Sequence, residues 1–263
     1  MLLGTFIDSL QTKGRYTFTR AEALVHLNCS QDAFRFAALR LIKKKRLIRP
    51  ITGFYVIVPT EYQEVGSPPA AWFIDYLMKF CEQAYYVGLL SAAALHGAAH
   101  QQPQVFQVIT TKTLREIKIA NQQIQFFTKK CVIAADCQTV KTPTGYMQIS
   151  TPEITAFDLL LYVKSAGHLS HIATVLAELQ EQFDEKRLRE ILNGDSIKFS
   201  QIQRLGYLLE IVQARPEIIA LLKQYIQTHK PRTIPLRPDK TRQNTEKNTD
   251  WCLYINEKIE ADL

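Results

Sequence analysis

Apolar residues recur at helical spacing at the start of the chain: Leu2, Leu3, Phe6, Ile7 and Leu10 predict a helix over 2–13. Thr19-Arg20-Ala21-Glu22 fits a capping box, with a hydroxyl on one free N–H and a carboxylate reaching back, and it opens a short helix carrying Ala23, Leu24 and Leu27. Asn28-Cys29 reads as a turn, and Ser30 as the N-cap of a longer helix through about Lys45. On that helix Phe34, Ala37, Ala38 and Leu41 fall at i, i+3, i+4, i+7 and form the stripe expected to be buried. Gln31, Asp32, Arg35, Phe36, Arg40 and Lys43 lie opposite or beside it. Leu47–Arg49 and Phe54–Val58 then read as two strands around Pro50-Ile51-Thr52-Gly53. Three helices and a hairpin make the order of a winged helix-turn-helix.

Beyond Pro59 the pattern breaks into a polar, proline-rich stretch that ends at Pro68-Pro69. Helices are predicted over 71–83 and 85–97, followed by β-rich runs at Gln104–Thr110, Arg115–Ile119 and Ile124–Lys129. A hairpin at 139–142 and 146–150 completes the β-rich part. Helices over 152–164, 168–182, 184–193, 198–214 and 216–228 follow, with Thr151 as cap and Pro152 in the first turn. Residues 229–250 read as a polar loop and Trp251–Ile255 as a short strand. The fold class expected is α+β. A winged helix-turn-helix domain at 1–59 and a linker at 60–69 lead to a larger mixed α/β domain at 70–263. That domain is expected to have a small antiparallel sheet and a helical C-terminal half.

Charge sharpens the division. Residues 1–60 hold ten Lys/Arg and three Asp/Glu, so they carry the whole formal net charge of +7, and residues 61–263 balance. A basic head on a neutral body points to a polyanion for the head. Lys43, Lys44, Lys45 and Arg46 taken alone suit a solvated helix end facing its own dipole. Taken with the caps and the hairpin, they suit phosphates at the end of a groove-lying helix. Arg49 would enter the wing, and Gln31, Arg35 and Arg40 would read base edges. Phe36 suits a thymine methyl and a helix–helix contact equally. The DNA-contact set expected is Thr19, Arg20, Ser30, Gln31, Arg35, Phe36, Arg40, Lys43, Lys44, Lys45, Arg46, Arg49 and Thr52.

The five cysteines are scattered without a C-x-x-C pair, which argues against a disulfide framework or a zinc finger; small buried hydrophobes are expected. No apolar run approaches a membrane span, and Asp8 falls too early for a signal peptide, so a cytoplasmic chain without a membrane partner is expected. Walker A, G-x-G-x-x-G, H-E-x-x-H and G-x-S-x-G are missing, as is the Gly-Ser followed by Asp-x-Asp of nucleotidyltransferases. No enzyme activity, catalytic residue, metal site or cofactor is therefore expected. His96 and His100 stand four apart without a third ligand, and a hydrogen-bonded turn is the expectation. Arg204 is expected to pair with Glu153 or Asp158.

From Tyr85 to Pro103 (YYVGLLSAAALHGAAHQQP) the chain closely resembles the AbiEi-type antitoxins of abortive-infection, type IV toxin–antitoxin systems. The likeness continues through Gln104–Thr110, Ser150–Leu160 (STPEITAFDLL), Gln203–Glu210 (QRLGYLLE) and the tail around Trp251 and Asn256. It covers nearly the whole chain. The sequence departs from the family at Gly167-His168, where a Gly-Gly-like turn is usual, and at Thr52, where an Arg often precedes the wing glycine. The resemblance implies an antitoxin-domain motif of His96, His100, Gln101, Gln102, Pro103, Glu153, Asp158 and Arg204. It also implies repression of the chain's own operon at inverted repeats in promoter DNA, by a protein monomeric in solution that binds cooperatively on DNA. A nucleotidyltransferase toxin would be neutralised without a stable complex. The alternative is a ligand-responsive winged-helix transcription regulator with no toxin partner.

Overall fold

Residues 2–98, 103–194, 196–241 and 245–262 are described in the computed structural model. The head begins with α1 (Leu3–Gln11), which buries Leu3, Phe6, Ile7 and Leu10. A short strand β1 (Thr17–Thr19) leads into α2 (Arg20–Leu27). Thr19 caps α2 by accepting the Glu22 N–H at 3.1 Å. The reciprocal half of the expected capping box is replaced: the Glu22 carboxylate takes both guanidinium nitrogens of Arg15, at 2.6 and 2.8 Å. Asn28 turns the chain in the left-handed region, at φ +47°, which its short polar side chain tolerates. Ser30 then caps α3 (Gln31–Lys43), accepting the Ala33 N–H at 3.2 Å.

Strands β2 (Leu47–Ile51) and β3 (Phe54–Ile57) complete an antiparallel three-stranded sheet in the order β1-β3-β2. The strand β1 was not expected from the sequence, because its partner β3 lies beyond two helices and a strand. All of β3 is buried, and its alternation explains why. Tyr55 and Ile57 join Phe6, Phe18 and Phe34 in the core of the head. Phe54, Val56 and Val58 join a second cluster with Phe73, Leu77, Tyr85, Val108 and Met147.

That second cluster sets the division of the chain. One compact unit comprises residues 1–87 and 104–149, the other 88–103 and 150–263, so the expected divisions at 59 and 70 both fall inside the first unit. Within it, residues 60–69 form a 3₁₀ turn at Thr60–Tyr62 and bury Ser67 and Pro68, whose carbonyl accepts from Gln122 at 2.9 Å. After α4 (Ile74–Phe80) comes β4 (Tyr85–Val87), where a helix was expected. Two tyrosines and a valine suit a pleated, buried position better than a helix, and this strand lies inside the sheet.

The sheet also holds β5 (Val105–Thr110), β6 (Ile117–Ile119), β7 (Gln122–Thr128), β8 (Cys137–Thr142) and β9 (Gly145–Ser150). Its order is β6-β7-β5-β4-β9-β8. It is mixed rather than the small antiparallel sheet expected, since β5 runs parallel to β7 and β4 parallel to β9.

The second unit is helical: α5 (Leu89–Leu95), α6 (Pro152–Leu161), α7 (His168–Leu179), α8 (Glu185–Asn193), α9 (Phe199–Ile211) and α10 (Pro216–His229). Thr151 caps α6, and every residue from Pro152 to Leu160 is buried, the signature of a helix enclosed on all sides. The tail returns as β10 (Ile234–Pro235), β11 (Glu246–Asn248) and β12 (Leu253–Ile255), paired in the order β10-β12-β11. Gly167 and His168 both sit at positive φ, +80° and +71°, so a histidine here occupies a backbone conformation that favours glycine. The cysteines differ from expectation, as none is fully buried and Cys131 is exposed. Among the described residues no helix is long and apolar enough to cross a membrane.

Candidate functional site

The free face of α3 is cationic with an apolar centre. Phe34 and Ala38 face the core, while Gln31, Arg35, Arg40 and Lys43 are exposed, with Lys44 and Lys45 just past the helix end. Phe36 and Leu39 stand among them, 55% and 44% exposed, three residues apart and so on one side of the helix. Leu39 has no signal of its own in the sequence, because apolar spacing marks the buried stripe and charge marks the opposite face.

Asp32 lies 3.3 Å from the Arg35 guanidinium, which sits 4.9 Å from the Phe36 ring centre. Arg40 bonds back to the Phe36 carbonyl at 3.3 Å. Thr19 and Ser30 act as caps, and the Arg20 N–H donates to the Gly53 carbonyl at 2.8 Å, joining the start of α2 to the hairpin bend. Arg49 and Thr52 are exposed on the hairpin.

Arg46 departs from the set expected to grip phosphates. Its guanidinium lies 2.5 Å from Asp8 on α1 and braces the head. All three acids of residues 2–60 thus face arginines, Asp8 on Arg46, Glu22 on Arg15 and Asp32 on Arg35. Lys13, Arg20, Arg40, Lys43, Lys44, Lys45 and Arg49 have no ion pair among the described residues, so the field of the head is concentrated on them.

The other expected motif occupies the helical unit, except that His100, Gln101 and Gln102 lie outside the described residues and Pro103 borders them. His96 closes α5: its Nε2 donates to the Ser150 carbonyl at 2.8 Å, and its own carbonyl accepts from the Gln182 amide. The Gln182 contact had no signal in the sequence, since an amide on a distant helix end carries no spacing. Glu153 accepts the Asp184 N–H at 2.7 Å and so anchors the start of α8. Asp158 is fully buried on α6.

Arg204 pairs with neither acid, contrary to expectation. It donates instead to the carbonyls of Leu236 at 2.9 Å and Pro235 at 3.2 Å, because the returning tail offers main-chain acceptors closer than the α6 carboxylates. Among the described residues no group of three or more His, Cys, Asp or Glu could hold a metal.

Residues 86–211 match the family model described as the AbiEi antitoxin C-terminal domain. That segment is an AbiEi antitoxin domain. The match supports an antitoxin's role in a toxin–antitoxin system. The antitoxin domain straddles both compact units, since it includes β4 and the sheet as well as α5 to α9. The crystal structure of RV2827C protein from Mycobacterium tuberculosis is similar in fold. Its TM-score is 0.65 at 16% identity, over 94% of this chain and 89% of that one, which supports the mixed α+β architecture. No curated protein matches the chain.

His96 gives the antitoxin domain a pH dependence of known sign. Burial pulls its pKa below the ordinary 6.5, against the Ser150 carbonyl and the charge of Glu153. The unfolded chain therefore binds this proton more readily, and the neutral ring contributes stability above pH 6.5 that is lost as the pH falls. The melting temperature of the wild type relative to His96→Gln should be higher at pH 7.5 than at pH 5.5. An equal difference at both values would remove His96 as the source.

Proposed function

We propose that this chain is a type IV antitoxin that neutralises a nucleotidyltransferase toxin and represses its own operon through a winged helix-turn-helix head at residues 1–59. The observation that carries the reading is the union of an AbiEi antitoxin domain with a head whose three acids are all paired and five of whose seven remaining cations gather on α3, its end and the hairpin.

The helix order, both caps and the three-stranded sheet support a groove-reading helix α3 with β2–β3 as the wing. Lys43, Lys44, Lys45 and Arg49 take phosphates in this reading, while Gln31, Arg35 and Arg40 face base edges. Inverted repeats in the promoter would receive protomers cooperatively, and the toxin would be opposed without a stable complex.

Arg35 is the first residue to test, because its guanidinium is exposed on α3 beside Asp32 and the Phe36 ring. In a gel-shift titration on the promoter of its own operon, Arg35→Ala should lose about 1–3 kcal/mol of specific affinity and relax the sequence preference. Affinity and preference both unchanged would overturn the assignment of α3 as the reading helix.

A further inference from the structure

Arg204 carries a charge that no acid among the described residues pairs with. The guanidinium is half-buried on α9, its Nε and Nη2 spent on the Leu236 and Pro235 carbonyls, and no acid among the described residues lies within ion-pair distance. Burial alone acts on its acidity, drawing the pKa below the ordinary value with no carboxylate opposing it. Its neighbour Arg237 shows the contrast, since Asp239 at 2.7 Å and Glu257 at 3.0 Å both pair with it. A guanidinium removed from water without a counter-ion is costly, and an external anion would offset that cost.

A place for such an anion exists within the same unit. Arg204 lines a cavity of about 510 Å³ whose apolar wall includes Leu160, Tyr162 and Leu169, with Lys164 and Lys198 exposed beside it. Among the described lining residues the acid is Asp239, which pairs with Arg237 and also feels the charge of Lys164; against it stand Lys164, Lys198, Arg204 and Arg237, so the lining keeps an excess of positive charge. The volume falls in the usual range for a small-molecule site, roughly 300–1,000 Å³. Arginine's fork and the two lysine ammonium groups suit a carboxylate or phosphate, and the leucines and tyrosine suit an apolar body.

We propose that this cavity binds a small organic oxyanion, a phosphate ester or carboxylate on an apolar body, with Arg204, Lys164 and Lys198 holding the anion. None of the three belongs to the proposed DNA-reading face, so the inference stands apart from promoter binding.

The test is calorimetric titration of the full chain with phenyl phosphate and with benzoate, against phenol, inorganic phosphate and sodium chloride at matched ionic strength. At least one aromatic anion should bind saturably and about fivefold or more tighter than inorganic phosphate, with no binding of phenol. The stronger of the two identifies the anion class. Lys164→Glu combined with Lys198→Glu should weaken that binding about tenfold or more, with the melting temperature of the free protein unchanged. Heat no greater than that of sodium chloride, inorganic phosphate binding as tightly as both aromatic anions, or equal affinity in the double variant would each overturn the proposal.

Discussion

Gly206→Ala is expected to destabilise the helical unit by about 3 kcal/mol or more, seen as a fall of roughly 6–12 °C in melting temperature. A Cβ at this position would lie 1.9 Å from Cζ3 of Trp251 and 2.4 Å from two further ring carbons, far inside van der Waals contact. The ring cannot retreat. Trp251 is fully buried, and its Nε1 donates to Glu210 at 2.6 Å. Glu210 is in turn held by Lys223 at 2.5 Å, and Lys223 also reaches Asp250 at 3.0 Å. Gln203 bonds the carbonyls of Arg232, Trp251 and Cys252 with one amide nitrogen, fixing the tail on α9 from the other side. Gly4→Ala is the control, because nothing lies within 4 Å of its Cβ position; it should leave the melting temperature unchanged or raise it slightly. Thermal denaturation of both variants decides the matter, and a Gly206→Ala midpoint within a degree of wild type would show that the tail does not pack on α9 in this way.

Replacing Lys43, Lys44 and Lys45 together by Ala should weaken promoter binding by about two to three orders of magnitude at 0.1 M salt. The slope of log affinity against log salt should become shallower by about 2.7, the counterion release of three phosphate contacts. All three are exposed; Lys45 alone makes a long contact, 3.5 Å from its Nζ to the Glu64 carbonyl. The substitutions should therefore leave stability nearly intact. Sequence preference should persist, in contrast to Arg35→Ala. An unchanged salt slope would place the phosphate grip elsewhere. Under the proposed function, the same variant co-expressed with a nucleotidyltransferase toxin that the wild type neutralises should still protect cells, which separates neutralisation from repression. A deletion is a poor substitute for this variant, because removing residues 1–69 would take Ile48, Phe54, Val56 and Val58 out of the cluster they share with the sheet.

Local signals in the sequence carried well. Thr19, Ser30 and Thr151 cap the helices they were expected to cap, and most helix and strand positions follow from apolar spacing. Long-range facts did not carry. The run Phe54–Val58 reads as a wing strand, yet a continuous apolar run is also the mark of a strand buried on both faces. The second face is what binds the head to the sheet. Tyr85–Val87 sits beside a small, helix-prone stretch and takes a helical reading by continuity, while its true partners are residues 108–110 and Ile149. Arg46 and Arg204 show the same limit for charge, since the type of residue indicates an anion but not whether Asp8, a main-chain carbonyl or a bound molecule supplies it.

The helical unit is interrupted in the chain, with α5 before residue 104 and its companion α6 after residue 149. On the ribosome this order means that Leu89, Ala92 and Ala93 emerge well before the surface that buries them exists. At about 5–20 residues per second, translation of the intervening sheet leaves that helix waiting for several seconds. A newborn antitoxin chain would pass through a period when its head and sheet segments have been synthesised but its helical half has not closed. During that interval the nascent polypeptide is open to chaperones and proteases in a way the finished one is not.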